Sequence, residues 1–194
     1  MELTGEYRIP APREAVWQAL NDPEVLRACI PGAESLEKLS DTEFQAAVKA
    51  KVGPVSARFQ GKVTLSDLDA PSRYTISGEG TGGAAGFAKG GAQVDLAEAG
   101  DGGTVLSYRA NVQVGGKLAQ IGSRLVAGTA RKLADEFFGR FAERLGGARA
   151  APAAPAPAAP AEAEAAAERP AVRPAIWITI LVAAVVILLL IVGL

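Results

Sequence analysis

The sequence predicts an α+β domain in which a curved antiparallel sheet of about seven strands wraps around one long C-terminal helix. Three observations predict it. From Ala33 to Val114, runs of alternating apolar and polar residues follow one another, separated by turn residues. From Gly115 to Gly147 the period changes, and Leu118, Ile121, Leu125, Leu133, Phe137, Phe141 and Leu145 recur every three or four positions. A sheet with one apolar face and a helix with one apolar stripe each need the other for burial.

The elements follow in order. "ELTGEYRI" suits an opening strand, and "PREAVWQALND" a short helix with Pro12 near its first turn and Val16, Trp17 and Leu20 on one side. In "DPEVLRACIPG" a start signal at Asp22–Pro23 and a stop at Pro31–Gly32 enclose a second short helix. A strand is expected around Ala33–Leu39, followed by five alternating runs. In the first of these, Phe44, Ala46, Val48, Ala50 and Val52 share a face; in the second, Val55, Ala57, Phe59, Gly61, Val63 and Leu65 do. The last helix is expected to run nearly continuously between Gly115–Gly116 and Gly146–Gly147. Gly122 and Gly128 interrupt its pattern, and would either admit a close strand or widen a pocket.

Beyond this domain of residues 1–146 the physics changes twice. Residues 147–174 read "GARAAPAAPAPAAPAEAEAAAERPAVRP", too rich in proline for a helix and too poor in large apolar side chains for a core. They are expected to form a flexible, semi-extended linker. Residues 175–194, "AIWITILVAAVVILLLIVGL", carry no charge, and twenty helical residues span about 30 Å, the thickness of a hydrocarbon core. Trp177 stands where an indole favours the membrane interface, with Arg169 and Arg173 before it. The opening "MELTGEYRIP" is charged and polar, unlike a secretion signal. The expectation is a transmembrane tail anchor in the cytoplasmic membrane, with the domain in the cytoplasm.

Composition excludes several functions. The chain has 20 basic and 21 acidic residues, so it lacks the basic balance of a nucleic-acid binder. It has no histidine, which removes His-based triads and His-ligated metal sites. Cys29, the single cysteine, lies in the apolar stretch "LRACIPG" and reads as a buried structural thiol. Asp135–Glu136 read as a solvated helix face and Asp67/Asp69 as a turn; no inward-facing catalytic constellation emerges.

The stretch "GEGTGGAAGFAKGG", from Gly78 to Gly91, is half glycine. Gly78, Gly80 and Gly83 match G-x-G-x-x-G letter for letter, with Glu98 downstream. A dinucleotide site needs a helix to start at the last glycine, yet Gly86, Gly90 and Gly91 would sit inside it at about 1 kcal/mol each. A Walker loop fails because Lys89 is followed by glycine. Strand parity is more informative. Tyr74, Ile76, Gly78, Gly80 and Gly82 face inward on one run; Leu96, Val94, Ala92, Gly90, Ala88 and Gly86 do so on the next. Two neighbouring strands thus leave interior volume that must be filled. A closely lying helix, aided by Phe87, would fill it, and so would an apolar ligand; the residues leave both open.

The stretches "YRIPAPREAVWQALNDPEVLRACIPG", "VGPVSARFQGKVTLSDLDAPSRYTISGEGTGGAAGFAKGGAQVDL" and "GGKLAQIGSRLVAGTARKLADEFFGRF" resemble the CoxG family of carbon monoxide dehydrogenase subunits, within the START-like (SRPBCC) helix-grip superfamily. The resemblance spans essentially the whole domain. It implies a helix-grip fold with an apolar cavity under the C-terminal helix. It also implies an accessory protein, not an enzyme, that recruits a molybdenum hydroxylase of the carbon monoxide dehydrogenase type to the membrane. No catalytic residue is carried over.

Together these features suggest a domain that takes a respiratory quinone, menaquinone or ubiquinone, from membrane lipid and presents it to the dehydrogenase. The cavity candidates are Ile76, Gly78, Gly80, Gly82, Ala88, Gly90 and Tyr108 on the sheet, faced by Leu118, Ile121, Leu125 and Phe137 on the helix. The alternative is a ligand-free docking module for the dehydrogenase. A hydrolase or cyclase is disfavoured because no acid–base pair faces inward.

Overall fold

A computed structural model describes residues 1–146. The linker and the tail anchor expected over 147–194, with Arg173 and Trp177, lie outside the described residues. Among the described residues, no helix is long and apolar enough to cross a membrane.

The chain runs β1 (Glu2–Ile9), α1 (Arg13–Ala19), α2 (Pro23–Cys29), β2 (Ala33–Lys38), β3 (Glu43–Val52), β4 (Val55–Asp69), β5 (Arg73–Thr81), β6 (Phe87–Glu98), β7 (Thr104–Gly115), α3 (Lys117–Ile121) and α4 (Ser123–Arg144). The seven strands form one antiparallel sheet in the order β1-β7-β6-β5-β4-β3-β2. The expected order of elements is therefore observed. From β2 to β7 successive strands pair as hairpins, so alternate turns lie at opposite ends of the sheet.

Local chemistry explains the short helices. The Asp22 carboxylate accepts hydrogen bonds from the amides of Glu24 (2.8 Å) and Val25 (3.3 Å), and Pro23 opens α2. Val16, Trp17, Leu26 and Cys29 are buried, and the Trp17 ring meets Tyr74 edge to face at 5.3 Å. Burial pushes the Cys29 thiol up to about 11, in keeping with a structural role. The Thr104 hydroxyl, buried, donates to the Ala11 carbonyl at 2.7 Å and ties the start of β7 to the chain leaving β1.

The C-terminal helix departs from the expectation. Gly122 has φ +96°, a conformation an L side chain rarely adopts, and it divides the element into α3 and α4. The buried stripe of α4 is Val126, Ala130, Ala134, Phe137, Phe138, Phe141 and Ala142; Leu133 and Leu145 sit at its margin and Leu125 is 47% exposed. Of the expected stripe Leu118, Phe137 and Phe141 are buried, whereas Val126, Ala130, Ala134, Phe138 and Ala142 were not part of it. The break at Gly122 resets the helix phase, and small alanines mark the seam. Gly128 stays within α4, exposed, with no atom near where a side chain would go.

Candidate functional site

The glycine stretch lies where β5 and β6 meet, and the parity expected for it is observed up to the turn. Gly78 pairs with Gly90 and Gly80 with Ala88. On the neighbouring strands Gly61 lies opposite Gly80, and Val112 and Val114 lie opposite Gly90 and Ala88. Ala46, Gly61, Gly80 and Ala88 thus form one side-chain-poor row across four strands, and all four are buried. Ile76, also buried, begins the next thicker layer of the same face.

Gly82 is not on a strand. β5 ends at Thr81 and β6 begins at Phe87, with a 3-10 turn at Gly83–Ala85 between them. The turn forms because Gly83 and Gly86 take φ +60° and +120°, which a regular strand cannot continue.

Some of the missing volume is filled by rings. A side chain on Gly82 would strike the Phe59 ring, and one on Gly5 the ring of its register partner Tyr108. Phe87 covers its register partner Gly115 but remains 49% exposed. Gly90 differs, because a side chain there would meet the backbone carbonyl oxygen of Asn111 at 2.2 Å. It permits close strand approach and a sharp bend.

The helix mirrors the sheet. Its N-terminal half buries only Val126, Ala130 and Ala134, whereas Phe137, Phe138 and Phe141 fill its C-terminal half. α4 makes its closest approaches to α2, β1 and β3, not to β5 and β6. Of the helix-side candidates, Leu118 and Phe137 are buried; Ile121 and Leu125 reach instead over Gly53 at the β3–β4 turn. Val126, Ala130 and Gly61 are buried without having been cavity candidates. They are small residues at helical and strand spacing, and small side chains contribute little to an apolar pattern.

One polar group enters this interior. The Tyr7 hydroxyl donates to the Asp135 carboxylate at 2.8 Å, so Asp135 is not merely a solvated helix residue. Tyr7 stacks on Phe138 at 4.0 Å, and Tyr108 lies parallel to both. Burial, reinforced by the other phenol and by Asp135, holds Tyr7 well above the usual tyrosine range; burial and then Asp135 push Tyr108 up to about 12. Both phenols are therefore neutral donors at physiological pH.

Two hollows of about 600 and 580 Å³ also lie over the glycine stretch, opening on the outer face between Lys62, Glu79 and Lys89. Their setting is polar and open. Among the described residues, no group of three or more His, Cys, Asp or Glu side chains is placed to hold a metal ion.

A single antiparallel sheet with two short helices after its first strand and a long helix at its end defines the START-like fold. A START superfamily protein from Mycobacterium smegmatis matches with a TM-score of 0.58 at 14% identity, over 75% of this chain and 97% of that one. A conserved protein from Geobacillus kaustophilus matches with a TM-score of 0.71 at 29% identity, over 75% of this chain and 95% of its own. A Thermus thermophilus protein gives 0.57 at 18%, over 75% and 97%. No curated protein matches the chain. The sequence profile of the carbon monoxide dehydrogenase CoxG subunit family matches residues 5–146, and the chain belongs to that family.

Proposed function

We propose that this chain is a membrane-anchored accessory protein of a carbon monoxide dehydrogenase-type molybdenum hydroxylase. It recruits the enzyme to the cytoplasmic membrane and carries an apolar ligand, a respiratory quinone, between sheet and α4. The family name supports the partner. The observation that carries the ligand is the buried row Ala46, Gly61, Gly80 and Ala88, on a sheet whose helix presents only Val126, Ala130 and Ala134 along its nearer half. Side chains are small on both walls, and an apolar molecule of matching shape would complete the packing. The Tyr7 hydroxyl is committed to Asp135, which leaves the Tyr108 hydroxyl as the donor available to a quinone carbonyl deeper in the same interior.

The test is lipid extraction of the purified full-length chain followed by mass spectrometry. Quinone is expected, and Gly80→Leu should lower its yield at least tenfold while the domain stays folded. A ligand-free docking module is the second reading, favoured by the Phe59 ring at Gly82. Under it no quinone is recovered, and Gly80→Leu unfolds the domain because no space receives the side chain.

A further inference from the structure

The domain is neutral as a whole, yet its charges are sorted to opposite ends of the sheet. The segments 44–66, 80–94 and 102–134 contain no Asp or Glu. They supply the β3–β4 turn, the β5–β6 turn, α3 and the start of α4, which all lie at one end. Gly53, Ile121 and Leu125 meet there, as do Gly86 and Gly116. Exposed Lys51, Lys117 and Arg124 belong to the elements of this same end, and none of the three has an ion-pair partner among the described residues. The opposite end carries the β2–β3, β4–β5 and β6–β7 turns. The cations beside these turns are paired: Arg8 with Asp101 at 2.5 Å, Arg13 with Glu98 at 2.9 Å, Lys38 with Asp41 at 3.3 Å, and Arg73 with Asp95. Asp67 and Asp69 make that end more negative still.

We infer that the basic end docks on an anionic lipid bilayer, with Leu125 and Ile121 entering the headgroup region and Lys51, Lys117 and Arg124 meeting the phosphates. Unpaired cations at the same end as exposed apolar side chains match the charge and layering of such a surface. The chain outside the described residues permits it. α4 carries the chain about 33 Å away from this end, and the 28 residues from 147 to 174 reach about 87 Å when extended. A tail seated in the bilayer can thus leave the domain with its basic end against the same membrane.

This inference rests on the membrane location proposed above, but not on the ligand. Residues 1–146 are a suitable probe, because the Geobacillus kaustophilus and Thermus thermophilus structures are 95% and 97% covered by the match and so consist of little besides this domain. The experiment is cosedimentation with quinone-free vesicles of phosphatidylcholine, alone or in equal parts with phosphatidylglycerol. Binding is expected only to the anionic vesicles and should fall as salt rises. Each of Lys51→Gln, Lys117→Gln and Arg124→Gln should weaken it about fivefold, and the triple variant about a hundredfold. Leu125→Gln should weaken it further, while Asp67→Asn with Asp69→Asn should not weaken it. Absence of binding to anionic vesicles, or binding that survives the triple variant, overturns the assignment. So does a triple variant that loses only capture of the dehydrogenase, which would give this end to a protein partner. Vesicle binding without recovered quinone would sink the ligand reading and leave this one standing.

Discussion

The two halves of α4 face the same sheet and bury different things. Toward the C-terminus Phe137, Phe138 and Phe141 interlock with one another and with Tyr7, the rings of Phe138 and Tyr7 lying 4.0 Å apart. Toward the N-terminus only Val126, Ala130 and Ala134 are buried, all of them smaller than a phenyl ring. One half holds the fold together by large apolar burial. The other buries only small side chains, and its end of the sheet carries exposed Leu125 and Phe87 with unpaired cations. Large and small apolar side chains are thus sorted to opposite ends of one helix.

Substitutions in each half should break or sharpen that contrast, and urea unfolding of residues 1–146 is the common measurement. The largest effect is expected for Phe138→Ala, which removes a fully buried ring from the aromatic stack and should cost about 4 kcal/mol. A loss under about 1 kcal/mol would mean that the aromatic half does not carry the fold. Gly90→Ala should cost about 2 kcal/mol, because its methyl would press on the Asn111 carbonyl where the backbone must yield. If Gly90→Ala is neutral, the glycine is there for interior space and not for strand approach. The smallest change, of opposite sign, is expected for Gly128→Ala. It adds a methyl in open space on an exposed helical position and should stabilise by about 0.5–1 kcal/mol. A destabilising result would show that the thin half of α4 depends on a bend at Gly128.

Much of the sheet is legible from local pattern. Alternation in "EFQAAVKAKV" and its successors marks the strands, and Phe44, Val48 and Val52 are indeed buried while Lys49 and Lys51 are exposed. The pairing of small residues at Gly78, Gly80, Ala88 and Gly90 follows from parity alone, because side chains alternate faces and a hairpin fixes which residues are opposite. The helix side is less legible. Leu125 and Ile121 look like core in a continuous stripe, but Gly122 turns the chain and delivers them to the β3–β4 turn. The link between Tyr7 and Asp135 joins residues 128 positions apart, and no local pattern signals it.

The amino-acid sequence by itself determined the element types and their order, because hydrophobic period and turn chemistry are local properties. It also determined that charges of one sign are grouped, since acid-free segments are visible along the chain. Only the tertiary structure decided what those groups mean. Antiparallel pairing gathers every second turn at one end, so Lys51, Lys117 and Arg124 converge from distant segments while the acidic turns collect opposite them. The same folding brought the small residues of β3, β4, β5 and β6 into one row. Both outcomes depend on contacts distant in sequence, which is why local pattern could supply the parts but not their meeting.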